Sequence, residues 1–236
     1  MSTERPVVLV TGATGPLGRV VVARFAAEGA TLALVGRDRA KLEALAADTG
    51  LAADAWMPAI GDLTDADAAK GAVAAVEARF GRVDVLLHLV GGWAGGTAVV
   101  DVDADELRTL LDQHVWTTFH LAQAIVPGML ARGFGRVVAV TSTLASNPPA
   151  KQGPYAAAKA AQEVLLRALA RETTDTGVTV NLVVVRTMDK GHERETEPSP
   201  KNRSWTTPEE IAEALVYLAS RAAAAVTGAR LPLDSR

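Results

Sequence analysis

Pro6-Val7-Val8-Leu9-Val10-Thr11-Gly12-Ala13-Thr14-Gly15-Pro16-Leu17-Gly18 is the stretch on which the fold turns. An apolar, β-branched run leads into spaced glycines, and a helical stretch, Pro16 to Glu28, follows at once. Glycine at these places permits a tight turn, close approach of backbone to a pyrophosphate and close packing of helix on strand, with the helix N-terminus facing the anion. An ordinary strand-to-helix turn that needs glycine for a positive φ looks the same. Its place in the first strand-turn-helix unit favours the phosphate-binding reading.

Outward from this stretch the same alternation continues, short β-branched runs followed by Ala-rich helical ones. Candidate strands are Pro6 to Thr11, Thr31 to Gly36, Ala55 to Ile60, Val83 to Val90, Arg136 to Ser142, Val178 to Val185 and Arg230 to Leu233. Candidate helices are Pro16 to Glu28, Arg39 to Ala47, Asp65 to Phe80, Ala104 to Arg132, Pro154 to Thr174 and Pro208 to Ser220. Several strands are apolar at nearly every position, as expected where helices cover both faces of a parallel sheet. With no internal repeat and no dividing linker, residues 1–236 read as one α/β domain.

Composition narrows the chemistry. The absence of cysteine excludes disulfides, thiolate nucleophiles, iron-sulfur clusters and cysteine-based zinc sites. A net charge of −3 without runs of like charge argues against nucleic acid or an anionic membrane as partner. No metal site is expected. The start, Met-Ser-Thr-Glu-Arg-Pro, lacks the layout of a signal peptide, and no uncharged apolar stretch is long enough to span a bilayer, so a cytoplasmic protein is expected.

At the end of the second strand, where a dinucleotide-binding fold distinguishes its two nicotinamide cofactors, an acidic residue would hold the ribose hydroxyls. Here Gly36 and Arg37 follow Val35. Small and then cationic suits the 2′-phosphate of NADP, although a solvated arginine beginning a helix fits the same residues.

The chain has only two tyrosines, and Tyr155 precedes Lys159 by four residues, which places both on one helix face. Ser142 ends the preceding strand, thirteen residues before the tyrosine. A phenol with an ordinary pKa of about 10 is a weak acid-base catalyst near neutrality, and an adjacent ammonium is expected to lower that value. Ser142 can then hold a carbonyl or alcohol oxygen in line with the phenol. A surface helix that happens to carry both residues is the structural alternative.

In these residues the chain resembles the short-chain dehydrogenase/reductase family over nearly its whole length. The matching positions are Gly12, Gly15 and Gly18, Asp62-Leu63 after the third strand, Ser142, Tyr155 and Lys159, with Asn181 and Thr187 in and after the sixth strand. The resemblance implies a Rossmann-type doubly wound, seven-stranded parallel sheet. It implies cofactor contacts from Gly12, Thr14, Gly15, Leu17, Gly18, Asp62, Leu63, Val90, Gly91 and Thr187, with Asp62 at the adenine and Lys159 also at the nicotinamide ribose.

The departures are equally specific. The family's Asn-Asn-Ala-Gly appears as His88-Leu89-Val90-Gly91, and the asparagine of its fourth helix aligns with His114. That asparagine helps a water connect the lysine to solvent; histidine can donate and accept and so can serve as a relay, and a buried structural histidine fits as well. Val185-Arg186 replaces Pro-Gly, and Asp234-Ser235-Arg236 is all that remains of a glycine-rich C-terminal signature. Gly15-Pro16 carries the spacing of the epimerase-like branch. Trp93, between glycine pairs, is a substrate-contact candidate or a loop anchor; His120 and Trp56 read as packing residues.

The expectation is an NADP-dependent oxidoreductase acting on a small carbonyl or alcohol, with Ser142, Tyr155, Lys159 and His114 as catalytic residues and a homodimer or homotetramer as the assembly. Two rivals stand beside it. One is a non-catalytic NADP-binding sensor, suggested by the altered asparagine and Pro-Gly positions. The other is an epimerase or lyase, disfavoured because only 81 residues follow Tyr155. Residues 189–203 (DKGHERETEPSPKNR) hold no large apolar side chain, and a mobile substrate lid is expected at about residues 187–205.

Overall fold

Seven strands, all parallel, stand in the order β3-β2-β1-β4-β5-β6-β7. The computed structural model describes residues 5–233, so Asp234-Ser235-Arg236 lies outside the described residues. The strands are β1 (Val7–Thr11), β2 (Thr31–Gly36), β3 (Trp56–Ile60), β4 (Val85–His88), β5 (Gly135–Ser142), β6 (Val178–Val185) and β7 (Arg230–Pro232). Between them run α1 (Pro16–Ala27), α2 (Arg39–Asp48), α3 (Ala66–Phe80), α4 (Ala104–Leu111), α5 (Thr117–Arg132), α6 (Gly153–Glu172), the short α7 (Glu193–Thr196) and α8 (Pro208–Ala219). Among the described residues no helix is long and apolar enough to cross a membrane.

Side chains alternate between the two faces of each strand, and both faces are apolar. Val7 and Leu9 join one core with Val76, Ile125 and Leu166 from α3, α5 and α6. Val8 and Val10 join the other with Val21, Leu42 and Leu215 from α1, α2 and α8. The chain winds from β1 through β2 to β3, then crosses back to place β4 on the other side of β1. The switch between β1 and β4 opens a crevice at the carboxyl ends of the strands.

Two elements differ from the sequence expectation. β4 stops at His88 because the backbone N–H groups of Leu89 and Val90 leave the ladder and donate to the Thr11 hydroxyl, at 3.0 and 3.4 Å. The long helix expected over Ala104 to Arg132 contains a π turn at Asp112–Trp116. There the hydroxyls of Thr117 and Thr118 donate back to the carbonyls of Gln113 and His114, each at 2.6 Å, which supports the widened turn.

The stretch without large apolar side chains is organised by polar ones. Asp189 is fully buried, and its carboxylate accepts from the backbone N–H groups of Glu193 and Arg194 at 2.8 and 2.9 Å. Asn202 donates to the carbonyls of Glu193 and Glu197, and Arg194 forks onto Glu210 in the first turn of α8.

Thr11 is therefore a junction of β1, β4 and the chain beyond. Replacing it by valine keeps the shape and removes the acceptor of two half-buried N–H donors; the expected cost is about 1–3 kcal/mol in denaturant unfolding, with Thr11→Ser close to the parent.

Candidate active site

The β1–α1 turn is shaped by glycine where nothing else fits. Gly12 has φ +66°, and a Cβ on it would lie 3.0 Å from the Leu89 carbonyl carbon; a Cβ on Gly18 would lie 2.2 Å from the Gly12 oxygen. The Gly15 N–H closes the turn on the Gly12 carbonyl at 3.0 Å. Gly15 is the N-cap of α1 and supplies no side-chain cap, and Pro16 follows it, so the first helical N–H groups face the crevice. This is a fit for a dinucleotide pyrophosphate.

The crevice encloses about 1020 Å³. It brings together Gly12, Gly15, Leu17 and Gly18 from the turn, Val90 and Gly91 after β4, and His114, Ser142, Tyr155, Lys159 and Thr187. Thr14, Arg37, Asp62 and Leu63 are not in its wall. Arg37 and Asp62 face each other across the ends of β2 and β3 at 4.0 Å, and Asp62 also accepts from both the N–H and the hydroxyl of Thr64. Leu63 packs into the core, and its carbonyl meets His120 Nδ1 at 3.0 Å. Asn181 stands apart, bracing the Val226 carbonyl and the Ala229 N–H before β7.

Tyr155 and Lys159 share the inner face of α6, as their spacing requires. Lys159 is buried, and its ammonium donates to the Val140 carbonyl and to Gln162 Oε1, both at 3.0 Å. Burial pushes its pKa down to about 7, with Glu163 opposing that shift. Gln162, also fully buried, passes the chain to the Thr118 hydroxyl at 2.9 Å and so to the His114 carbonyl. The phenol behaves otherwise than the sequence suggested. Burial pushes the Tyr155 pKa up and contact with the Ser142 hydroxyl opposes the rise, while Lys159 directs its donors to Val140 and Gln162.

Both histidines in the altered positions are buried and neutral. His88 and His114 are each lowered to about 3, chiefly by desolvation and then by the nearby Lys159 charge. Thr117 gives its hydroxyl proton to Gln113, so His88 Nε2 donates to Thr117 at 3.3 Å and Nδ1 accepts from Thr11 at 3.0 Å. His114 Nε2 donates to the Gly92 carbonyl at 2.9 Å. Its ring meets Tyr155 edge-on at 5.6 Å, and its buried Nδ1 has no hydrogen-bond partner among the described residues. A Cβ at Gly91 would lie 2.2 Å from the His114 ring, so the glycine and the histidine are matched.

Several contributors carried no sequence signal of their own. Gln113 fixes the Gly92 N–H at 3.1 Å, and Gln152 accepts from the Trp93 indole N–H at 2.9 Å, which holds that ring at the crevice mouth. Gln162 was the legible one: a polar residue three positions after Lys159 on a buried helix face.

Residues 6–200 match the family described as short chain dehydrogenase. A dehydrogenase subunit for (2S)-[(R)-hydroxy(phenyl)methyl]succinyl-CoA from Thauera aromatica is 36% identical over 234 residues, 95% of this chain and 91% of that protein. D-threitol dehydrogenase of Mycolicibacterium smegmatis is 32% identical over 97% of this chain and 91% of its own. The structure of NAD+-bound xylitol dehydrogenase superposes with a TM-score of 0.87 at 25% identity, covering 98% of both chains. The chain belongs to the short-chain dehydrogenase family, oxidoreductases that bind a nicotinamide cofactor.

A base whose folded pKa lies below its unfolded one costs stability as pH falls from the unfolded value towards the folded one. His88 and His114 should each lower stability between pH 6.5 and about 3. Measured as thermal unfolding against pH, His114→Asn should make the acid-side slope shallower than in the parent.

Proposed function

We propose that this chain is an NADP-dependent oxidoreductase that moves hydride between the nicotinamide C4 and a carbonyl or alcohol carbon. The observation that carries the reading is the meeting of Ser142, Tyr155 and Lys159 in the crevice that begins at the Gly12–Gly18 turn. The nicotinamide supplies the hydride chemistry when bound. Gly12, Gly15 and Gly18 admit the pyrophosphate to the α1 N-terminus, and Lys159 holds the ribose.

The chain's own part is oxygen and proton management. Ser142 positions the substrate oxygen; Tyr155 gives its phenolic proton to that oxygen as it gains charge, or takes one from an alcohol in the reverse direction. Lys159, with a pKa of about 7, exchanges protons near neutrality. His114 offers its unpartnered Nδ1 to a water that extends the relay from Lys159. A binding-only sensor has no chemical need for this set.

The same reading covers the assembly and the lid. Leu107, Trp116, Phe119 and Val164 expose apolar surface on α4 to α6, which suits a homo-oligomer. Residues 189–203, tied internally by Asp189 and Asn202, close over the substrate as a unit.

Cofactor choice rests on Gly36 and on Arg37, whose side chain is 81% exposed beside Asp62 and free to turn to a 2′-phosphate. NADPH should bind more tightly than NADH, and Gly36→Asp with Arg37→Ala should reverse the order in fluorescence titrations; equal affinities in the parent defeat the NADP assignment.

Tyr155→Phe should lower kcat by about 10²–10⁴ while NADPH affinity stays near the parent's. Lys159→Ala should damage both. A phenylalanine variant that turns over a panel of ketones at the parent's rate would return the tyrosine to a packing role.

A further inference from the structure

Arg186 is an exposed cation in the wall of the crevice. It follows Val185, the residue paired with Ser142 across the β5–β6 ladder, so it leaves the sheet one strand over and one residue beyond the serine that positions the substrate oxygen. The phosphate turn lies three strands away, after β1, at a lateral distance of about 14 Å from β6. Arg186 is exposed in the crevice wall and donates to the Ser204 hydroxyl at 2.8 Å. A hydroxyl fixes the guanidinium without neutralising it. Lys190, four residues on, lines the same crevice.

Among the described residues no Asp or Glu lines the crevice, and no carboxylate forms an ion pair with Arg186 or Lys190. Three acids among the described residues of this region have other partners: Asp189 caps the backbone of α7, Glu209 meets His192 at 3.0 Å, and Glu210 takes Arg194. Lys159 is buried on its own partners and His114 is neutral. In the wall that also holds Ser142 and Tyr155 there remains a forked cation, exposed and held by one hydrogen bond to a hydroxyl. Guanidinium matches carboxylate in a planar, bidentate contact.

We infer that Arg186, with Lys190 adding charge, forms an anion subsite beside Ser142 and Tyr155, and that the substrate is a carbonyl or alcohol carrying a carboxylate. This rests on the oxidoreductase reading for the fate of the substrate but not for its binding. Trp93, pinned by Gln152 at the mouth, gives the carbon chain of such a substrate an apolar wall.

The experiment is calorimetric titration of the NADP+ complex with 2-oxobutanoate, 4-oxopentanoate and 5-oxohexanoate, each against its uncharged methyl ester, with turnover of NADPH followed in parallel. The parent should bind at least one acid more tightly than its ester. Arg186→Ala should lose about 10- to 100-fold in acid affinity with the ester unchanged, and Arg186→Lys should recover part of it. NADPH affinity and thermal unfolding of the Ala variant serve as the folding control and should match the parent. Equal binding of acid and ester by the parent, or no binding of either, overturns the subsite. So does a loss of NADPH affinity in Arg186→Ala without an acid-specific loss, which would give the cation to the cofactor pyrophosphate. Acid binding that depends on Arg186 upholds the subsite whether or not NADPH is consumed, and consumption reports separately on the oxidoreductase reading.

Discussion

The Thr11 hydroxyl holds the end of β1, the end of β4 and the chain leaving β4 in one place. It donates to His88 and accepts from the N–H groups of Leu89 and Val90. Because the Leu89 carbonyl lies 3.0 Å from where a Gly12 Cβ would stand, the glycine turn and the β4 exit are fitted against each other at backbone contact. The crevice therefore inherits its shape from a polar junction buried between two apolar cores, where an unmet donor is expensive and geometry is correspondingly strict.

His88 extends that junction to the π turn through Thr117, and His114 extends it from the π turn to Gly92. Two histidines, each neutral, thus do what a pair of asparagine amides could do: donate on one side and accept on the other in fixed directions. Their neutrality follows from the same burial that lowers Lys159, since three cations so close in a desolvated pocket would repel. The Lys159–Gln162–Thr118 chain shows the same economy, a wire of hydrogen bonds replacing charge pairs in the interior. Electrostatics in the crevice is left to the groups that face it, and among the described residues those carry positive charge or none.

The architecture was legible in the sequence because its signals are local. Alternating β-branched and Ala-rich segments, a glycine turn after the first strand and the Tyr155–Lys159 spacing follow from strand pleat and helix pitch, so seven strands and the inner face of α6 could be read without a partner in space. The early end of β4 and the π turn were not legible, because each is set by a side chain reaching a carbonyl or N–H: Thr11 from 78 residues away, Thr117 and Thr118 within a stretch, Ala104 to Thr118, that holds no glycine or proline to mark the wider turn. The segment after β6 was read from its lack of apolar residues, which says nothing about the buried Asp189 that orders it.

By itself, then, the sequence determined the sheet, the glycine turn and the identity of the Ser142, Tyr155 and Lys159 groups that line the crevice, since each depends on residue type at fixed spacing. Tertiary structure alone decided their electrical state. The Tyr155 pKa rises where an adjacent lysine suggested a fall, Lys159 drops to about 7, and His114 keeps an unpartnered Nδ1. Protonation depends on how much water is excluded and on where each donor is directed, and neither exists until the two faces of the sheet are covered and the cores have closed.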